Sequence, residues 1–518
     1  MSQPIAAKSA MQKFLDVVEK VGNKVPHPAV IFLILIAIVI VLSQILHMLG
    51  TSISYQILNP ETHKLETATT PAKSLLTADG IRFMYERLIP NFMSFTAVGL
   101  MIVAMVGAGV AEEAGLVKAL IRKLVLVSPP HALTYIMAFV GIMSSIAADA
   151  GYLVLIPLAG AAFLSVDRHP LAGLALGFAG VASAFTVNML IKPLDAVLVE
   201  FTNDAIHLLN PNVSIGLTSN LWFSIASVVV LTGLIAFITE KTIEPRLGEY
   251  KPESDVAKGR SQPTEGRAEL SAEESRGLRY ALYALLGTVV VFALLTMPPG
   301  APLRNPDTGA LIGNSPFMNG LIALIMVLFL ATGAAYGIGA GSMKNLTDII
   351  KAIEKALSGL GSLIFLFLII SQFVAYFNYS NMGTILAVKM ADVLRDSNIG
   401  PLPLLIGFIV VVAIVDLLIT GAIAKWAIFA PIFVPLLMKL GVAPEAVLAA
   451  YRVGDSPINS ITPLNAYFAL VVGFAQKYDK NAGVGTVVAL MLPYVIWILV
   501  IWTLLFAAWY LLGLPWGL

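Results

Sequence analysis

The chain has 518 residues, of which 58% are hydrophobic and only 12% charged, and its mean hydropathy is +0.87. Soluble domains contain about 45–50% apolar residues, so we predict one membrane domain over residues 1–518. The net charge of +1 offers no basic surface for nucleic acid. Cysteine is absent and the six histidines are far apart, which excludes thiolate sites and argues against catalytic zinc. We therefore expect no metal centre and no cofactor.

Seven uncharged stretches approach the roughly 20 residues that a helix needs to cross a bilayer. They are Val30–Leu49, Phe92–Ala111, Leu221–Thr239, Tyr280–Met297, Leu321–Ala340, Gly359–Phe377 and Val484–Leu512. The first stretch lacks a small-residue cleavage site, so it is predicted to be a retained span rather than a signal peptide. Two short charged segments, Leu116–Val127 and Thr384–Arg395, are predicted to lie in the membrane interface.

Four further regions are apolar but interrupted. The arms Ala132–Ala148 and Ala150–Val166 flank Asp149, and the arms Pro401–Val415 and Trp426–Met438 flank Asp416 and Lys425. We predict that each pair forms a re-entrant helical hairpin, which is tolerated at membrane depth only where protein or a water-filled cavity covers it. The segments Pro170–Leu209 and Pro444–Phe474 can cross, but Gly, Pro and charged residues interrupt them, so they are predicted to be broken helices. The predicted fold is an all-α polytopic membrane protein with nine transmembrane helices and two re-entrant hairpins.

The distribution of Lys and Arg predicts the orientation. The charged linker, residues 240–279, contains eight of these cations, whereas the connection before Leu321 has only Arg304. The linker is therefore predicted to be cytoplasmic, in the inner membrane of a bacterium. The N-terminus is then cytoplasmic as well, and nine crossings leave the C-terminus outside.

Part of the sequence is repeated. Pro157, Pro170 and Gly180 recur 274 residues later as Pro431, Pro444 and Gly454. The run Ile191–Ala196, IKPLDA, recurs as Ile461–Ala466, ITPLNA. The predicted topology makes the two copies, about residues 92–240 and 359–513, inverted relative to each other. Inverted repeats with interrupted helices typically hold substrate and coupling ions near the bilayer midplane.

Charged side chains inside a bilayer cost about 2.5–3.5 kcal/mol on insertion scales, so they need partners or water. Those predicted to face a shared cavity are Asp149, Lys192, Asp195, Asp416, Lys425, Arg452 and Asp455. Arg452 can bind carboxylates or sulfonates, or it can form a structural pair with Asp455 one turn away. Asp149 and Asp195 can carry protons for coupling, and the alternative for Asp195 is a buried salt bridge with Lys192.

Three other polar side chains are candidates for the site. Trp426 lies at the predicted tip of the second hairpin, where its indole can stack on an aromatic ligand or anchor at the membrane interface. Asn188 and Asn459 lie in the two interruptions. Their amides can cap broken helix ends, or they can bind a cation or substrate.

Several motifs together resemble those of one transporter family. They include QFVAYFNYSN at Gln372–Asn381, AKWA at Ala424–Ala427, RVGDS at Arg452–Ser456, DAGY at Asp149–Tyr152 and IEPRLG at Ile243–Gly248. These motifs are similar to those of the AbgT family, the p-aminobenzoyl-glutamate transporters, and the likeness extends over nearly the whole chain.

The resemblance implies a homodimer and a substrate that is p-aminobenzoyl-glutamate or a sulfonamide-type antimetabolite. The positions that match functional motifs of the family are Asp195, Trp426, Pro444, Arg452, Asp455 and Pro463. Their implied roles are a cation for an acidic substrate, a ring for the aminobenzoyl group, carboxylates for protons, and prolines that keep a helix open.

This chain also departs from the hydroxyl-rich hairpin tips expected of the family. Ala148, Ala422, Ile423, Pro457 and Ile458 stand where small or hydroxylated residues are usual, and Lys192 adds an ammonium near Asp195. Fewer oxygens remain for sodium, which as a hard cation requires oxygen ligands. We therefore expect weakened or absent sodium coupling, with a protonated carboxylate or the fixed charge of Lys192 in its place.

The favoured function is thus a proton-coupled secondary transporter, with export by antiport favoured. A sodium-coupled importer of p-aminobenzoyl-glutamate is the alternative. An intramembrane enzyme that uses paired aspartates is disfavoured, because Asp455 follows Arg-Val-Gly rather than Gly-x-Gly. A passive channel is disfavoured because two opposed hairpins would close a pore.

Overall fold

The computed structural model describes residues 28–58, 65–126, 129, 132–146, 151–250, 270–312, 315–386, 388–389, 400–417, 419, 421–465 and 467–518. Helices dominate these residues. The predicted all-helical membrane architecture is therefore confirmed at this level. Asp149, Ala148 and most of the predicted interfacial segment Thr384–Arg395 lie outside the described residues.

The helices are numbered in chain order. They are α1 (Pro28–Met48), α2 (Ala78–Glu86), α3 (Leu88–Met93), α4 (Thr96–Ala114), α5 (Leu116–Leu126), α6 (Leu133–Met143), α7 (Ile156–Ser165), α8 (Pro170–Ala182), α9 (Pro193–His207), α10 (Leu221–Ile238), α11 (Glu244–Leu247), α12 (Ala272–Thr296), α13 (Pro316–Asn319), α14 (Leu321–Ala340), α15 (Leu346–Ser358), α16 (Gly361–Tyr379), α17 (Pro401–Asp416), α18 (Ala422–Lys439), α19 (Pro444–Asp455), α20 (Phe468–Gln476) and α21 (Val484–Leu511).

Within the described residues, eight helices are long and apolar enough to cross a membrane. Seven of them, α1, α4, α10, α12, α14, α16 and α21, coincide with the seven predicted spans. The eighth, α18, was predicted as a shorter hairpin arm beginning at Trp426. It instead begins at Ala422 and runs for 18 residues, because Pro431 and Pro435 are accommodated inside the helix. Gly421 precedes it at φ 98°, a conformation that favours glycine and sets the sharp turn after α17.

Both predicted broken helices are interrupted in the structure. The first consists of α8 and α9, separated by the non-helical residues 183–192. The second consists of α19 and α20, separated by a 3₁₀ turn at Pro457–Ser460 and an irregular segment. Pro457 contributes to the second break, since proline lacks the N–H that would continue the helical hydrogen bonds, whereas Pro193 occupies the first position of α9, where proline is compatible with the start of a helix.

The first predicted hairpin contains two short helical arms. α6 continues into a 3₁₀ turn at Ser144–Ile146, and a π-helical turn at Gly151–Leu155 leads into α7. α6 and α7 have 11 and 10 residues, so neither is long enough to cross a bilayer alone.

Each broken helix packs closely against the first arm of one predicted hairpin. A Cβ added at Gly180 of α8 would lie 3.0 Å from the Cα of Gly141 in α6. A Cβ at Gly454 of α19 would lie 2.6 Å from the Ile409 carbonyl oxygen in α17. Gly180 and Gly454 are the matching glycines of the sequence repeat, so the same residue type permits the same close approach in both halves.

The loop after α1 contains an element that the sequence analysis missed. Strands β1 (Ser52–Leu58) and β2 (Leu65–Pro71) pair antiparallel, with Ser52 opposite Pro71 and Leu58 opposite Leu65. The predicted interfacial helix before the first hairpin is confirmed as a helix, α5.

Candidate functional site

The break between α8 and α9 positions the first candidate residues. Lys192 precedes α9, Pro193 occupies its first position, and Asp195 lies in its first turn. The Lys192 backbone N–H donates a 2.9 Å hydrogen bond to Asp195 Oδ2. This arrangement stabilises the helix start, because a carboxylate there accepts a free backbone N–H and complements the positive end of the helix dipole.

Arg452 of α19 binds this helix start. Its Nη1 lies 2.6 Å from Asp195 Oδ1 and 2.5 Å from the Thr186 carbonyl oxygen, and its Nε donates a 3.3 Å hydrogen bond to Asn220 Oδ1. Arg452 and Asp195 are both buried. The ion pair therefore joins the two broken helices.

Asp455, one turn beyond Arg452, forms a second ion cluster. Its Oδ1 lies 2.7 Å from Lys425 Nζ, and the same ammonium contacts Asp416 Oδ1. All three side chains are fully buried. The sequence had allowed an ion pair between Arg452 and Asp455. In the structure Asp455 is instead the counter-ion of Lys425, because Arg452 and Asp455 contact different neighbours of α19.

The hydroxyl of Tyr451 completes the second cluster. It lies 2.9 Å from Asp455 Oδ1 and 2.5 Å from the Ala422 carbonyl oxygen. The second oxygens, Oδ2 of Asp416 and Oδ2 of Asp455, accept no hydrogen bond from any described residue. Two buried carboxylates that share one ammonium leave an excess negative charge in this cluster.

Lys192 lies apart from both ion pairs. Its side chain is buried, and its Nζ donates a 3.1 Å hydrogen bond to Ser145 Oγ and contacts the Phe185 carbonyl oxygen. Lys192 binds Asp195 through its backbone N–H, and the salt bridge between these two side chains, the alternative given for Asp195, is absent because Asp195 pairs with Arg452. Among the described residues, no carboxylate lies within 4.0 Å of this ammonium.

Trp426 is a buried residue of α18. Its Nε1 lies 3.0 Å from both the Leu198 carbonyl oxygen and Thr202 Oγ1 of α9, and its ring lies 4.5 Å from the Tyr451 ring. Full burial excludes the role of an interface anchor. In this conformation the indole packs α18 against α9 and α19.

The remaining predicted residues differ in their proximity to the ion pairs. Asn188 donates to the Met143 carbonyl oxygen and to Ser145 Oγ, at 3.1 and 3.2 Å. Asn459 donates to the Asp455 carbonyl oxygen at 3.2 Å, so both asparagines bridge broken backbone. Pro463 lies in a turn within the second break. Pro444 begins α19, about 16 Å along the helix from Asp455 at 1.5 Å per residue, and is not part of the cluster.

Hydroxyl pairs that the sequence analysis missed connect the two breaks directly. Ser183 Oγ lies 2.8 Å from Ser460 Oγ, and the Thr186 hydroxyl contacts Ser456. All four side chains are buried. These hydroxyl pairs could have been suspected from the sequence, because each of the four residues lies within or beside a predicted helix interruption.

A cavity of about 610 Å³ extends to Lys192. Its walls include Met101, Met105, Leu363, Leu366 and the α18 start at Gly421–Ala424, and its other polar lining includes Glu112, Glu113, Ser145 and Lys355. Arg452, Asp195 and Asn188 instead border a separate pocket of about 10 Å³, which has room for about one water molecule. The sequence predicted one shared cavity, whereas the cations of this site face two separate spaces.

Among the described residues, no three His, Asp or Glu side chains form a group that could hold a metal ion. The clustered carboxylates are instead bound to Arg452 and Lys425.

Comparison with known proteins identifies the family. The sequence matches the AbgT transporter family over residues 13–518. It is 34% identical over 515 residues to the p-aminobenzoyl-glutamate transport protein of Escherichia coli strain K12, covering 99% of this chain and 97% of that one.

Two solved structures are similar to this fold. The YdaH transporter of Alcanivorax borkumensis has a TM-score of 0.87 and 39% identity, covering 95% of this chain and 100% of that chain. MtrF of Neisseria gonorrhoeae, described as illuminating a class of antimetabolite efflux pumps, has a TM-score of 0.90 and 37% identity, covering 97% of this chain and 99% of that chain. The chain belongs to the AbgT family of membrane transporters.

Proposed function

We propose that this protein is a secondary active transporter of p-aminobenzoyl-glutamate, sulfonamide-type antimetabolites or both, with proton-coupled export favoured. The observation that carries the proposal is the joining of the two broken helices by the buried Arg452–Asp195 ion pair beside a cavity of about 610 Å³. That volume lies within the range of about 300–1,000 Å³ typical of small-molecule sites. The names of the similar proteins support the substrate class.

The proposed topology has nine crossings, made by the seven ordinary spans and the two broken helices, with two re-entrant hairpins between them. Residues 92–240 and 359–513 are the proposed inverted repeats. The positions of Lys and Arg support a cytoplasmic N-terminus and an external C-terminus. On this topology the cavity end that contains Glu113 and Lys355 faces the cytoplasm. The homodimer implied by the family resemblance is part of the proposal.

Alternating access requires the contacts between the broken helices to rearrange. The Arg452–Asp195 pair and the Asp416–Lys425–Asp455 cluster are proposed to exchange partners as substrate and protons bind. In this scheme Asp195 and Asp455 are the proton carriers, and Asp149 remains a further candidate. The unmatched oxygens of the second cluster support the assignment of Asp455.

The surroundings of Lys192 support proton rather than sodium coupling. The Ser145 hydroxyl and the Phe185 carbonyl oxygen are the kind of hard ligands that sodium requires, and the Lys192 ammonium binds both. The positive charge of the Lys192 ammonium also repels a sodium ion from the Ser145 and Phe185 oxygens.

The proposal is tested by substrate flux in proteoliposomes. Wild type, Asp195→Ala and Arg452→Ala are compared with p-aminobenzoyl-glutamate and with a sulfonamide, under an imposed proton gradient or an imposed sodium gradient. We expect flux driven by the proton gradient in the wild type and a loss of at least tenfold in both variants. Flux that requires sodium and ignores the proton gradient would establish the sodium-coupled alternative, and equal flux in all three proteins would overturn the site assignment.

Mass spectrometry of the transported compound separates transport from catalysis. A transporter delivers the substrate unchanged. A hydrolysed product that depends on Asp195 or Asp455 would instead support an intramembrane enzyme.

A further inference from the structure

The cavity has one cation at its buried end. Lys192 lines the cavity with a fully buried side chain, whereas the other lining cation, Lys355, is exposed and lies 2.6 Å from Glu113. Arg452 and Lys425 do not line the cavity. Lys192 is therefore the buried cation among the residues that line this space.

The Lys192 ammonium forms no salt bridge with a carboxylate of the described residues. Asp195 is bound to Arg452 and to a backbone N–H, and the partners of Lys192 Nζ are a neutral hydroxyl and a backbone carbonyl. An ammonium has three donors, and these partners use two of them. Because a buried cation without a counter-charge is costly, an anion that enters the cavity gains both a hydrogen bond and charge neutralisation.

The side chains that line the middle of the cavity indicate the chemical character of the rest of the ligand. Met101, Met105, Leu363, Leu366 and Ile423 make the middle of the cavity apolar. Methionine and leucine side chains suit a flat aromatic body, since they are adaptable and lack polar groups. The complementary ligand is an aromatic compound with an acidic group at one end.

On this basis we propose that Lys192 is the anion-binding residue of the cavity and determines specificity for acidic substrates. It binds the carboxylate or ionised sulfonamide, while the aromatic part lies along the methionine and leucine wall. Arg452 then acts as a positioning residue, which holds Asp195 away from the Lys192 ammonium. This inference rests on the proposed function and adds the residue that recognises the acidic group.

Equilibrium binding to the purified protein in detergent tests the proposal. The two probes are p-aminobenzoyl-glutamate and its uncharged dimethyl ester, measured by isothermal titration calorimetry with wild type, Lys192→Met, Lys192→Gln and Lys192→Arg. We expect the Met and Gln variants to bind the acid at least tenfold more weakly and the diester as the wild type does. Lys192→Arg should retain most of the affinity for the acid, because it keeps the charge.

Lys355→Gln is the matched control, since it removes a lysine from the mouth of the same cavity. Its affinity for the acid should stay within about twofold of wild type, because its charge is exposed to solvent and screened. Thermal unfolding verifies that each variant is folded, and the charge-retaining Arg variant provides the comparison if Met or Gln destabilises the protein.

The outcomes separate this inference from the proposed function. If the wild type binds the acid and the Met and Gln variants bind it equally well, the role of Lys192 is overturned while the substrate class stands. If the Met and Gln variants lose affinity for the acid and for the diester to the same extent, Lys192 has a structural role and the inference is again overturned. If the wild type binds neither probe nor a sulfonamide, the proposed substrate class fails and the inference fails with it.

Discussion

Arg452 of α19 and Asp195 of α9 form a 2.6 Å ion pair across the two interruptions of the chain. The Asp195 carboxylate is shared, since its other oxygen accepts the backbone N–H of Lys192, the residue that precedes α9. One side chain therefore stabilises the beginning of a helix and binds the other broken helix.

Removing either partner of this pair should destabilise the protein. Asp195→Ala leaves a buried arginine without its counter-charge, and Arg452→Ala leaves a buried carboxylate, so each is expected to cost about 3–5 kcal/mol. The double variant Asp195→Ala/Arg452→Ala should cost less than the sum of the two single changes, because it leaves neither charge buried alone. Thermal unfolding in detergent measures the effect. Arg82→Gln, which breaks an exposed ion pair with Asp79, is the control and should change little. Additive losses in the double variant would show that the two groups are not coupled.

Trp426 is expected to act through packing in the observed conformation. Trp426→Ala removes a fully buried ring that contacts Tyr451, so we expect a loss of about 3–5 kcal/mol, and Trp426→Phe should lose less because it keeps a ring. Trp497→Phe is a matched control, since Trp497 is 51% exposed. Unfolding temperatures give the comparison. A stable Trp426→Ala variant with abolished binding would instead assign the indole to ligand stacking.

The glycine contacts predict a contrast between two helix positions. Gly454→Ala would place a methyl group 2.6 Å from the Ile409 carbonyl oxygen and 2.8 Å from Val412 Cβ, so α17 and α19 must separate. We expect destabilisation of about 1–3 kcal/mol from overpacking. Gly407→Ala in α17 meets nothing within 4 Å and should be neutral or slightly stabilising. Equal unfolding temperatures for the two variants would contradict the close packing.

His169, at the start of α8, predicts a pH effect on stability. Burial lowers the pKa of His169 below its ordinary value of about 6.5, and Glu244 and Asp479 oppose this by raising it. Its Nδ1 accepts a 3.2 Å hydrogen bond from the Leu171 N–H, which requires the unprotonated nitrogen. The neutral form is thus favoured in the folded state. The contribution of neutral His169 to the stability of the folded protein is complete above about pH 6.5. It is lost as the pH falls through the lowered pKa of His169.

His169→Asn should keep the capping acceptor without the titration. We expect acidification below about pH 6.5 to lower the unfolding temperature of the wild type more than that of this variant. His207→Asn serves as the control, because His207 is an exposed residue that bonds the exposed Ser214. An identical pH dependence in wild type and His169→Asn would exclude this histidine as the cause.

Sequence alone predicted the spans and the interruptions because both depend on local composition. Uncharged runs of about 20 residues predict α1 and α16. The second interruption was predictable from Pro457, which lacks the N–H needed to continue α19. The length of α18 was underestimated, since tertiary packing accommodates Pro431 and Pro435 inside the helix.

Which charges pair could not be predicted from spacing. Arg452 and Asp455 are separated by one helical turn, so a local pair was plausible. In the folded chain Arg452 reaches the break before α9, and Asp455 contacts Lys425 on α18. Asp195 and Lys425 are distant from α19 in the sequence. Only the tertiary packing of α19 determines which charged residue each of its two side chains pairs with. The same holds for Trp426, whose partner Thr202 belongs to the other half of the chain.

The short helix α19 has one further consequence. Because Arg452 and Asp455 lie one helical turn apart on α19 and form ion pairs with different neighbours, a small rotation of this helix would change both ion pairs at once. The two ion clusters can therefore change together through the 12 residues of α19 alone, without a change in the lipid-facing helices.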